Sequence, residues 1–290
     1  MFTDLMGQRR YKLGLHMHTT LSDGHMSPEA AVRLYKEAGY DAVALTDHWF
    51  FGEDRELEGM QILSGIEYNF GTDGTGDGVY HILSLMARRN PGVTREDTPQ
   101  VCVDRILAAG GLPVLAHPAW SLNQPDAAAN LRGVAFTEIF NTVSGEQASN
   151  RPYSGGFVDL SACRGKYYGL FASDDTHYYH CDECVAATMV KADSLSCEDI
   201  MAALLRGDYY ATTGPEIHLT VEDGFWVVRC SPAVTVNIFS NTVWAAGRHN
   251  VGEDLTEIRV PLAPRDVYAR AEATDKNGRT AYSPILVLKP

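Results

Sequence analysis

The chain reads Leu15-His16-Met17-His18 at the point where an apolar run, residues 11–15, comes to an end. Further apolar runs of strand length follow at residues 41–46, 61–66, 79–85, 112–116, 134–140 and 167–172. Stretches with helical spacing lie between several of these runs. Strands that alternate with helices are typical of α/β proteins with a mainly parallel sheet. The pattern predicts an α/β fold and leaves an open sheet and a closed barrel as alternatives.

Three helices are predicted because residues suited to helix ends flank them. Ser27 is a suitable cap for the first helix, Pro28 suits its first position and Gly39 lies just past its end. The second helix is expected at residues 99–109 and the third at residues 197–205. The apolar side of the first helix would comprise Val32, Leu34, Tyr35 and Ala38.

The pattern changes after Gly214-Pro215, where no helical period is visible. Short alternating runs follow at residues 217–221, 225–229, 234–239, 257–260, 267–273 and 285–288, with turn signals between them. This pattern predicts a small, sandwich-like antiparallel β domain. A β unit of this size is only marginally stable alone, so we expect it to pack on the first domain. The expected domains are residues 1–213 and residues 214–290.

The composition excludes several classes of protein. The 290 residues carry a net charge of −13, and nucleic-acid backbones and anionic membranes need a basic surface. No apolar run reaches the roughly 18–20 residues of a membrane span, and the N-terminus lacks the pattern of a signal peptide. The six cysteines are irregularly spaced, unlike a disulfide framework. We therefore expect a cytoplasmic protein that binds neither nucleic acid nor membrane and acts on a small molecule.

Potential metal ligands lie at the ends of the predicted strands. In parallel α/β proteins the carboxyl ends of strands meet at one edge, where sites are built. Residues i and i+2 of a strand point the same way, so His16 and His18 would face one ion. Nine side chains are expected to converge: His16, His18, Asp23, His48, Glu67, His81, His117, Asp175 and His177. Buried carboxylates need partners, so this set predicts a metal site.

The motifs at these positions resemble those of the PHP (polymerase and histidinol phosphatase) family. The opening motifs are Leu15-His16-Met17-His18-Thr19-Thr20 with Ser22-Asp23-Gly24, and then Leu45-Thr46-Asp47-His48. The later ones are Gly65-Ile66-Glu67, His81, Ala116-His117-Pro118 and Ser173-Asp174-Asp175-Thr176-His177. The resemblance covers residues 11–213. It implies a distorted (β/α)7 barrel with a trinuclear metal site that hydrolyses phosphate esters.

The resemblance also implies how the ligands divide among three divalent ions. His16, His18, Glu67 and Asp175 would hold the first ion. Glu67 would bridge to a second ion held with His81 and His117, and Asp23, His48 and His177 would hold the third. Asp175 is assigned as a ligand instead of the adjacent Asp174 because Asp-x-His is the family's spacing. Nitrogen and oxygen ligands without cysteine suit Mn, Fe or Zn.

Such a site would attract and hydrolyse phosphate. Three divalent ions and three carboxylates leave a charge of about +3. A water that bridges two ions loses a proton near neutral pH and can attack phosphorus, while the third ion neutralises the phosphoryl oxygens. The predicted catalytic residues are Glu67, Asp175 and His177. The candidates for protonating the leaving group are Asp174, Tyr178 and His180.

Three side chains are predicted to bind the substrate, namely Asn141 at the end of the sixth predicted strand, Arg151 and His180. Residues 71–78 are rich in glycine but lack the Lys-Ser/Thr of a phosphate loop, so a flexible loop beside the site is expected. Cys181-x-x-Cys184 has no second cysteine pair, so a structural zinc site is not expected there.

The leading functional hypothesis is hydrolysis of a small phosphorylated metabolite, such as a sugar phosphate, a nucleotide or a cyclic phosphodiester. One alternative is a phosphodiesterase that opens a cyclic sugar phosphate and then releases inorganic phosphate. Amide hydrolysis at the same metal centre is a second alternative, and a non-catalytic, metal-bound regulatory module is a third.

Overall fold

The structure is a computed structural model that describes residues 1–71, 75–76, 78–146 and 149–288. Up to residue 212 its elements are β1 (Phe2–Thr3), β2 (Arg9–Gly14), α1 (Pro28–Glu37), β3 (Ala42–Ala44), β4 (Arg55–Leu57), β5 (Met60–Leu63), β6 (Gly65–Phe70), β7 (Tyr80–Leu85), α2 (Pro99–Ala108), β8 (Leu112–Leu115), α3 (Pro125–Ala129), β9 (Phe136–Asn141), a 3₁₀ turn (Val143–Gly145), α4 (Gly155–Ala162), β10 (Gly169–Ser173), β11 (Ala187–Val190), α5 (Cys197–Arg206) and β12 (Tyr209–Thr212). The remaining strands are β13 (Ile217–Glu222), β14 (Phe225–Ser240), β15 (His249–Pro261), β16 (Tyr268–Thr274), β17 (Thr280–Tyr282) and β18 (Leu286–Val287). The fold is therefore mixed α/β.

Two sheets contain the strands that were predicted for the first part of the chain. In the first sheet β2, β3 and β5 are parallel. On the other side of β2, β11 pairs antiparallel with β2, and β12 pairs antiparallel with β11. The second sheet has the order β10-β9-β8-β7-β6, in which β8, β9 and β10 are parallel. The prediction was of a mainly parallel sheet, and β7 departs from that pattern because it is antiparallel to both β6 and β8. A parallel crossover needs about a dozen residues or more, and the connection between Phe70 and Tyr80 is shorter.

The strand predicted at residues 61–66 is divided at Ser64. β5 ends at Leu63 in the first sheet, and β6 begins at Gly65 in the second sheet. A Cβ atom on Gly65 would lie 2.6 Å from the carbonyl oxygen of Leu45, so only glycine allows the chain to pass this close. The described ladders leave the two sheets separate. The closed (β/α)7 barrel is therefore not confirmed and stays a prediction.

The described strands after β12 pair antiparallel, as predicted. β14 pairs with β13, β15 and β16, and β16 pairs with β17 and β18. The strands predicted at residues 225–229 and 234–239 are one strand, β14, whose register against β15 shifts between Arg229 and Thr235. A bulge bends a strand without ending it. The interrupted alternation of the sequence at this point therefore resembled a turn between two strands. β17 pairs with β12, so these strands continue the first sheet, and the domain boundary after residue 213 stays a prediction.

Helix α1 has the predicted ends. The Ala30 N–H donates to Ser27 Oγ at 3.4 Å, and the chain turns at Gly39 with a φ of 81°. Val32 and Tyr35 are buried, as expected. Ala38, predicted on the apolar side, is instead exposed because it is the C-cap beyond the last helical turn. The short helices α3 and α4 were not predicted.

The core links the two sheets. Leu13 and Leu15 from the β2 segment share one buried cluster with Leu83 of β7 and Phe171 of β10. This packing holds the ends of strands from both sheets near one another, where the candidate site lies. Within the described residues, no helix has both the length and the apolar character needed to cross a membrane.

Candidate metal centre

The segment that follows β2 carries two histidines on one side. His16 and His18 are both almost fully buried, and Met17 between them points away from them into the core. The Met17 N–H donates to Thr46 Oγ1 at 3.1 Å. The His18 N–H donates to the Thr176 carbonyl at 2.9 Å, which ties this segment to the loop after β10. Backbone pairing therefore fixes the direction of both imidazoles.

Four buried side chains form the tightest group. His16 Nε2 lies 3.2 Å from Glu67 Oε2 and 3.0 Å from Asp175 Oδ1. His18 Nε2 lies 3.0 and 3.1 Å from the same two oxygens. Two nitrogens and two oxygens thus surround one point, as ligands surround a metal ion.

The second oxygen of Glu67 faces another pair of histidines. Its Oε1 lies 2.9 Å from His81 Nδ1 and 3.4 Å from His117 Nε2. His48 Nδ1 lies 3.4 Å from Glu67 Oε2, on the side of the first group. The two oxygens of this one carboxylate therefore reach different sets of imidazoles, which is what a bridging ligand requires.

A third, more open group surrounds Asp23. One of its oxygens lies 3.6 Å from His177 Nε2 and 3.6 Å from His18 Nδ1, and the other lies 3.8 Å from His48 Nε2. The Asp23 side chain is 55% exposed, unlike the buried carboxylates of the first group. All nine side chains predicted to converge are thus within one connected cluster.

The charges of this cluster depend on one another. Burial opposes charge on His16, yet Asp175 and Glu67 raise the pKa of this imidazole well above its usual value. Burial is likewise outweighed at His18, where the same two carboxylates raise the pKa of the imidazole to about 9. Burial alone would raise the pKa of Glu67, but His16 and His81 hold it well below its usual value. The buried carboxylates therefore demand positive charge from protons or from metal ions.

The donor set fits divalent metal ions. Two buried atoms, Asp175 Oδ1 and His48 Nδ1, have no hydrogen-bond partner among the described residues, and both face the cluster. Buried polar atoms are rarely left unpaired, and a cation would satisfy both. Mixed nitrogen and oxygen ligands suit Mn, Fe or Zn. The side chains present are therefore able to bind metal.

A family model now identifies the segment that carries the first six of these side chains. Residues 14–95 match the model of the PHP domain. This segment of the chain is therefore similar to a PHP domain. His117, Asp175 and His177 lie beyond the matched residues, so the structure alone brings them to the cluster. No curated protein matches the chain.

Solved structures also resemble the chain. A two-domain protein from Bacteroides vulgatus, which contains a predicted PHP-like metal-dependent phosphoesterase, is 16% identical with a TM-score of 0.55 over 99% of this chain and 98% of that chain. This likeness shows the fold. An amidohydrolase from Chromobacterium violaceum with bound sulfate is 16% identical with a TM-score of 0.43, over 59% of this chain and 89% of its own. A lesion-specific endonuclease from Pyrococcus furiosus is 13% identical with a TM-score of 0.45, over 69% and 57%. These two lower likenesses indicate nothing further about the chain.

Glu138 of β9 contacts two of the ligand candidates from behind, and the sequence did not identify it. Its Oε1 lies 2.8 Å from His16 Nδ1, and its Oε2 accepts the His117 N–H at 2.8 Å. In the neutral imidazole that would bind a metal, a proton on His16 Nδ1 would donate to Glu138 and leave Nε2 unprotonated toward the cluster. Ser173 also donates to this buried carboxylate. The only signal in the sequence is one acid within the apolar run at residues 134–140.

The two adjacent acids Asp174 and Asp175 face different ways. Asp175 lies in the cluster, whereas Asp174 accepts hydrogen bonds from Tyr35 and Thr142 at 2.8 and 2.7 Å and from the Ala186 N–H at 2.7 Å. Burial raises the pKa of Asp174 to about 6 against the effect of these donors. Asp174 therefore holds neighbouring segments together and does not face the cluster as a proton donor.

The structure places the three predicted substrate-binding side chains away from the open part of the site. Asn141 is buried and donates to Glu138 Oε2 at 2.8 Å and to Asp175 Oδ2 at 3.2 Å. Arg151 and His180 are exposed and are not among the described residues that line the cavity above the cluster. The role of these two side chains stays a prediction.

A cavity of about 480 Å³ opens above the cluster. Its described lining includes the ligand candidates together with Asn69, Trp120, Val143, Glu146 and Tyr178. Gly71 and Val79 lie at its edge, and residues 72–74 and 77 of the predicted glycine-rich loop lie outside the described residues. Sequence reasoning proposed Tyr178 but missed Trp120 and Glu146, because nothing in their sequence neighbourhood marks them.

Cys181 and Cys184 lie on the loop after β10, and both are free. Burial raises the pKa of the Cys184 thiol to about 12, so this thiol is protonated at neutral pH and unreactive.

Proposed function

We propose that the chain is a metal-dependent phosphoesterase that hydrolyses a small phosphorylated metabolite. The observation that carries this proposal is the cluster of nine nitrogen and oxygen ligands at the base of a 480 Å³ cavity. Divalent ions bound there would activate a water and neutralise charge on the phosphoryl group. A cavity of this volume suits a small ester.

We further propose three divalent ions of Mn, Fe or Zn. His16, His18, Glu67 and Asp175 would hold one ion. Glu67, His81 and His117 would hold the second, and Asp23, His48 and His177 the third. The distances within each set, 2.9–3.8 Å between ligand atoms, support this division.

The protein's own residues would position the ligands and handle protons. Glu67 spans two sets of histidines, and Glu138 fixes the ring orientation of His16. Tyr178 lines the cavity with a side chain that is 47% exposed, so its hydroxyl can reach a bound ester. Among the candidate acids Asp174, Tyr178 and His180, the position of Tyr178 favours it as the hydrogen-bond donor to the leaving oxygen.

We also propose that the strands of the two sheets form the distorted (β/α)7 barrel that the family resemblance implies, with a β-rich domain from residue 214 onward. Packing of β10 against β11 and β12 supports this arrangement, because it brings the end of the second sheet beside the first sheet.

The function is tested by release of inorganic phosphate. Full-length protein loaded with Mn, Fe(II) or Zn should release phosphate from a panel of sugar phosphates, nucleoside monophosphates and cyclic phosphodiesters, and chelated protein should not. E67Q should lower kcat by several orders of magnitude, because the proposed bridge is lost, while circular dichroism stays unchanged. E53Q removes an exposed carboxylate elsewhere and should leave kcat unchanged.

Three outcomes separate the alternatives. Hydrolysis of amides by the metal-loaded protein, without phosphate release from any ester, would show that the protein is an amidohydrolase and not a phosphoesterase. Bound metal with neither activity would indicate a regulatory module. Phosphorus NMR on a cyclic phosphodiester distinguishes a phosphodiesterase that releases phosphate in two steps from a phosphatase that leaves the cyclic ester intact.

A further inference from the structure

The walls of the cavity carry two aromatic rings that lie beside the candidate ligands. The Trp120 ring packs edge-on against His117 and His81, with ring centroids 5.0 and 5.5 Å apart. The Tyr178 ring lies 6.2 Å from the His177 ring. Trp120 is 37% exposed, although a tryptophan usually buries most of its area. These rings present apolar surface immediately above the place where a phosphoryl group would bind.

The same walls carry no lysine or arginine among the described residues. Apart from the nine ligand candidates, the charged side chain in this described lining is Glu146. The neighbouring sequence adds only negative charge, since residues 71–78 contain two aspartates and no lysine or arginine, and residues 144–150 contain no lysine or arginine. Arg151 is the next arginine along the chain, and it lies outside the described lining.

Glu146 has a carboxylate with no hydrogen bond or ion pair among the described residues, although the side chain is half-buried at the cavity. Its backbone is fixed, because its N–H donates to the Val143 carbonyl at 3.0 Å at the end of the 3₁₀ turn. An unpaired carboxylate at this place would attract a cation on a bound molecule and repel an anion.

The charges of the proposed site leave nothing for a second anionic group. Three divalent ions and their three carboxylate ligands would leave a charge of about +3. One phosphoryl dianion together with Glu146 would offset that charge. Another carboxylate or phosphate on the substrate would face Glu146 without a cationic partner.

We propose that Glu146, with Trp120 and Tyr178, determines specificity: the substrate carries a single phosphoryl group on a leaving alcohol that has a flat apolar face and no negative charge, and a cationic leaving group is preferred. This inference rests on the proposed phosphoesterase function. It assigns the charge preference to Glu146 and the preference for a ring to Trp120 and Tyr178.

Three aryl phosphates that differ in one para substituent, which is cationic, neutral or anionic, test the first part. These are 4-(aminomethyl)phenyl, 4-(hydroxymethyl)phenyl and 4-carboxyphenyl phosphate, assayed at pH 8 with the metal-loaded full-length protein. We expect kcat/KM to fall in that order, with about a tenfold or larger difference between the cationic and anionic esters. Similar values for all three would overturn the proposal for Glu146.

Charge-reversal variants give a matched comparison. E146K should invert the order of the three esters and E146Q should reduce the spread, mainly through KM. E253K makes the same change in net charge on the exposed edge of β15 and should keep the wild-type order. If E146K and E253K changed the order of the three esters equally, the assignment to Glu146 would be overturned. Circular dichroism verifies that each variant is folded, and its metal content verifies that it is loaded.

The aromatic part is tested with W120L. This variant should lower kcat/KM for the neutral aryl ester by about tenfold and leave that for glycerol phosphate, which has no ring, near wild type. An equal loss for both esters would show that Trp120 only supports the ligands. Absence of phosphate release from every ester by wild type would contradict the proposed function itself, which distinguishes the two failures.

Discussion

Glu138 shows how one side chain outside the proposed ligand set can control the whole cluster. It holds His16 through Nδ1 and His117 through its backbone N–H, at 2.8 Å each. In E138Q one of these contacts would meet an amide NH2 instead of an oxygen. We expect metal affinity to fall by about 10–100-fold, measured by titration of the chelated protein, since partners of ligating histidines have effects of this size.

E198Q, on the exposed face of α5, removes a carboxylate without touching the cluster and should bind metal as wild type does. Unchanged affinity in E138Q would mean that backbone pairing alone orients His16.

The convergence of the nine side chains was predictable because each lies in a motif whose neighbours identify it. Glu138 was not, because a single acid in an apolar strand carries no motif. Asn141 shows the opposite error. Its position at a strand end suggested contact with substrate, but its amide is used inside the protein by Glu138 and Asp175. Position along a strand predicts where a side chain lies and not which partner it finds there.

His218 of β13 gives the molecule a stability that depends on pH, away from the cluster. Burial and then the nearby Arg10 lower its pKa to about 4, although Asp4 lies 3.5 Å from its Nε2. The unfolded chain would protonate this histidine near pH 6.5. Stability is therefore lost as the pH falls from about 6.5 toward 4.

We expect H218Q to lose less stability than wild type over this range, by about 2 kcal/mol at pH 4.5. Urea unfolding at pH 7.5, 6.5, 5.5 and 4.5 measures the difference. If the free energy of unfolding of the two proteins changed with pH in parallel, the burial of a neutral His218 would be contradicted.

At the scale of elements, the loop after β10 is organised by a buried carboxylate. Asp182 is fully buried, and its oxygens accept the N–H groups of His177, Tyr178 and His180 at 2.7, 2.8 and 3.1 Å. Its carbonyl accepts the Thr176 hydroxyl at 2.8 Å. Three backbone donors on one carboxylate fix the path of the loop, and hence the direction of His177.

We expect D182A to destabilise the protein by about 2–3 kcal/mol, because it leaves buried N–H groups unpaired. It should also lose about one of the bound ions, because His177 is no longer held. Elemental analysis and urea unfolding give the two measurements, and D193A, at an exposed position before α5, is the control. Full metal content in a destabilised D182A would show that His177 needs no help from the loop.

Element boundaries were predictable where local chemistry sets them and not where distant contacts do. Ser27 and Ser196 cap α1 and α5 as their sequence neighbours indicate. The division at Ser64 depends on the approach of Leu45, and the continuity of β14 depends on its partner strands. Neither the approach of Leu45 nor the partner strands of β14 can be seen in the local sequence.

At the scale of the whole molecule, a buried charge joins the strands after β12 to the helical layer. Arg270 of β16 donates to both oxygens of Asp159 on α4, at 2.7 and 2.9 Å, and to Glu272. Glu272 in turn accepts the Tyr153 hydroxyl at 2.5 Å. The Arg270 side chain is 1% exposed, so its removal would leave two carboxylates without their cation.

We expect R270A to destabilise the protein by about 3–5 kcal/mol, because breaking a buried ion pair leaves an uncompensated charge. R259A removes an exposed guanidinium from β15 and should remain near wild type. Thermal unfolding measures both variants. A wild-type transition in R270A would show that the strand pairing of β12 with β17 suffices to hold the C-terminal strands.

The seam between the two sheets at Ser64 has a consequence for the lifetime of the chain. His16, His18 and His48 extend from strands of the first sheet, whereas Glu67, His81 and His117 belong to the second. Ions shared by these side chains would hold the sheets together, and a ligand that binds only the folded form stabilises it. A metal-starved chain would open at the seam more often and present its backbone to proteases. We expect trypsin, a protease whose catalysis needs no metal ion, to cut the chelated protein faster than the metal-loaded protein. Equal rates would show that the core alone closes the seam. Metal supply would then govern how long each copy survives, and not only how fast it works.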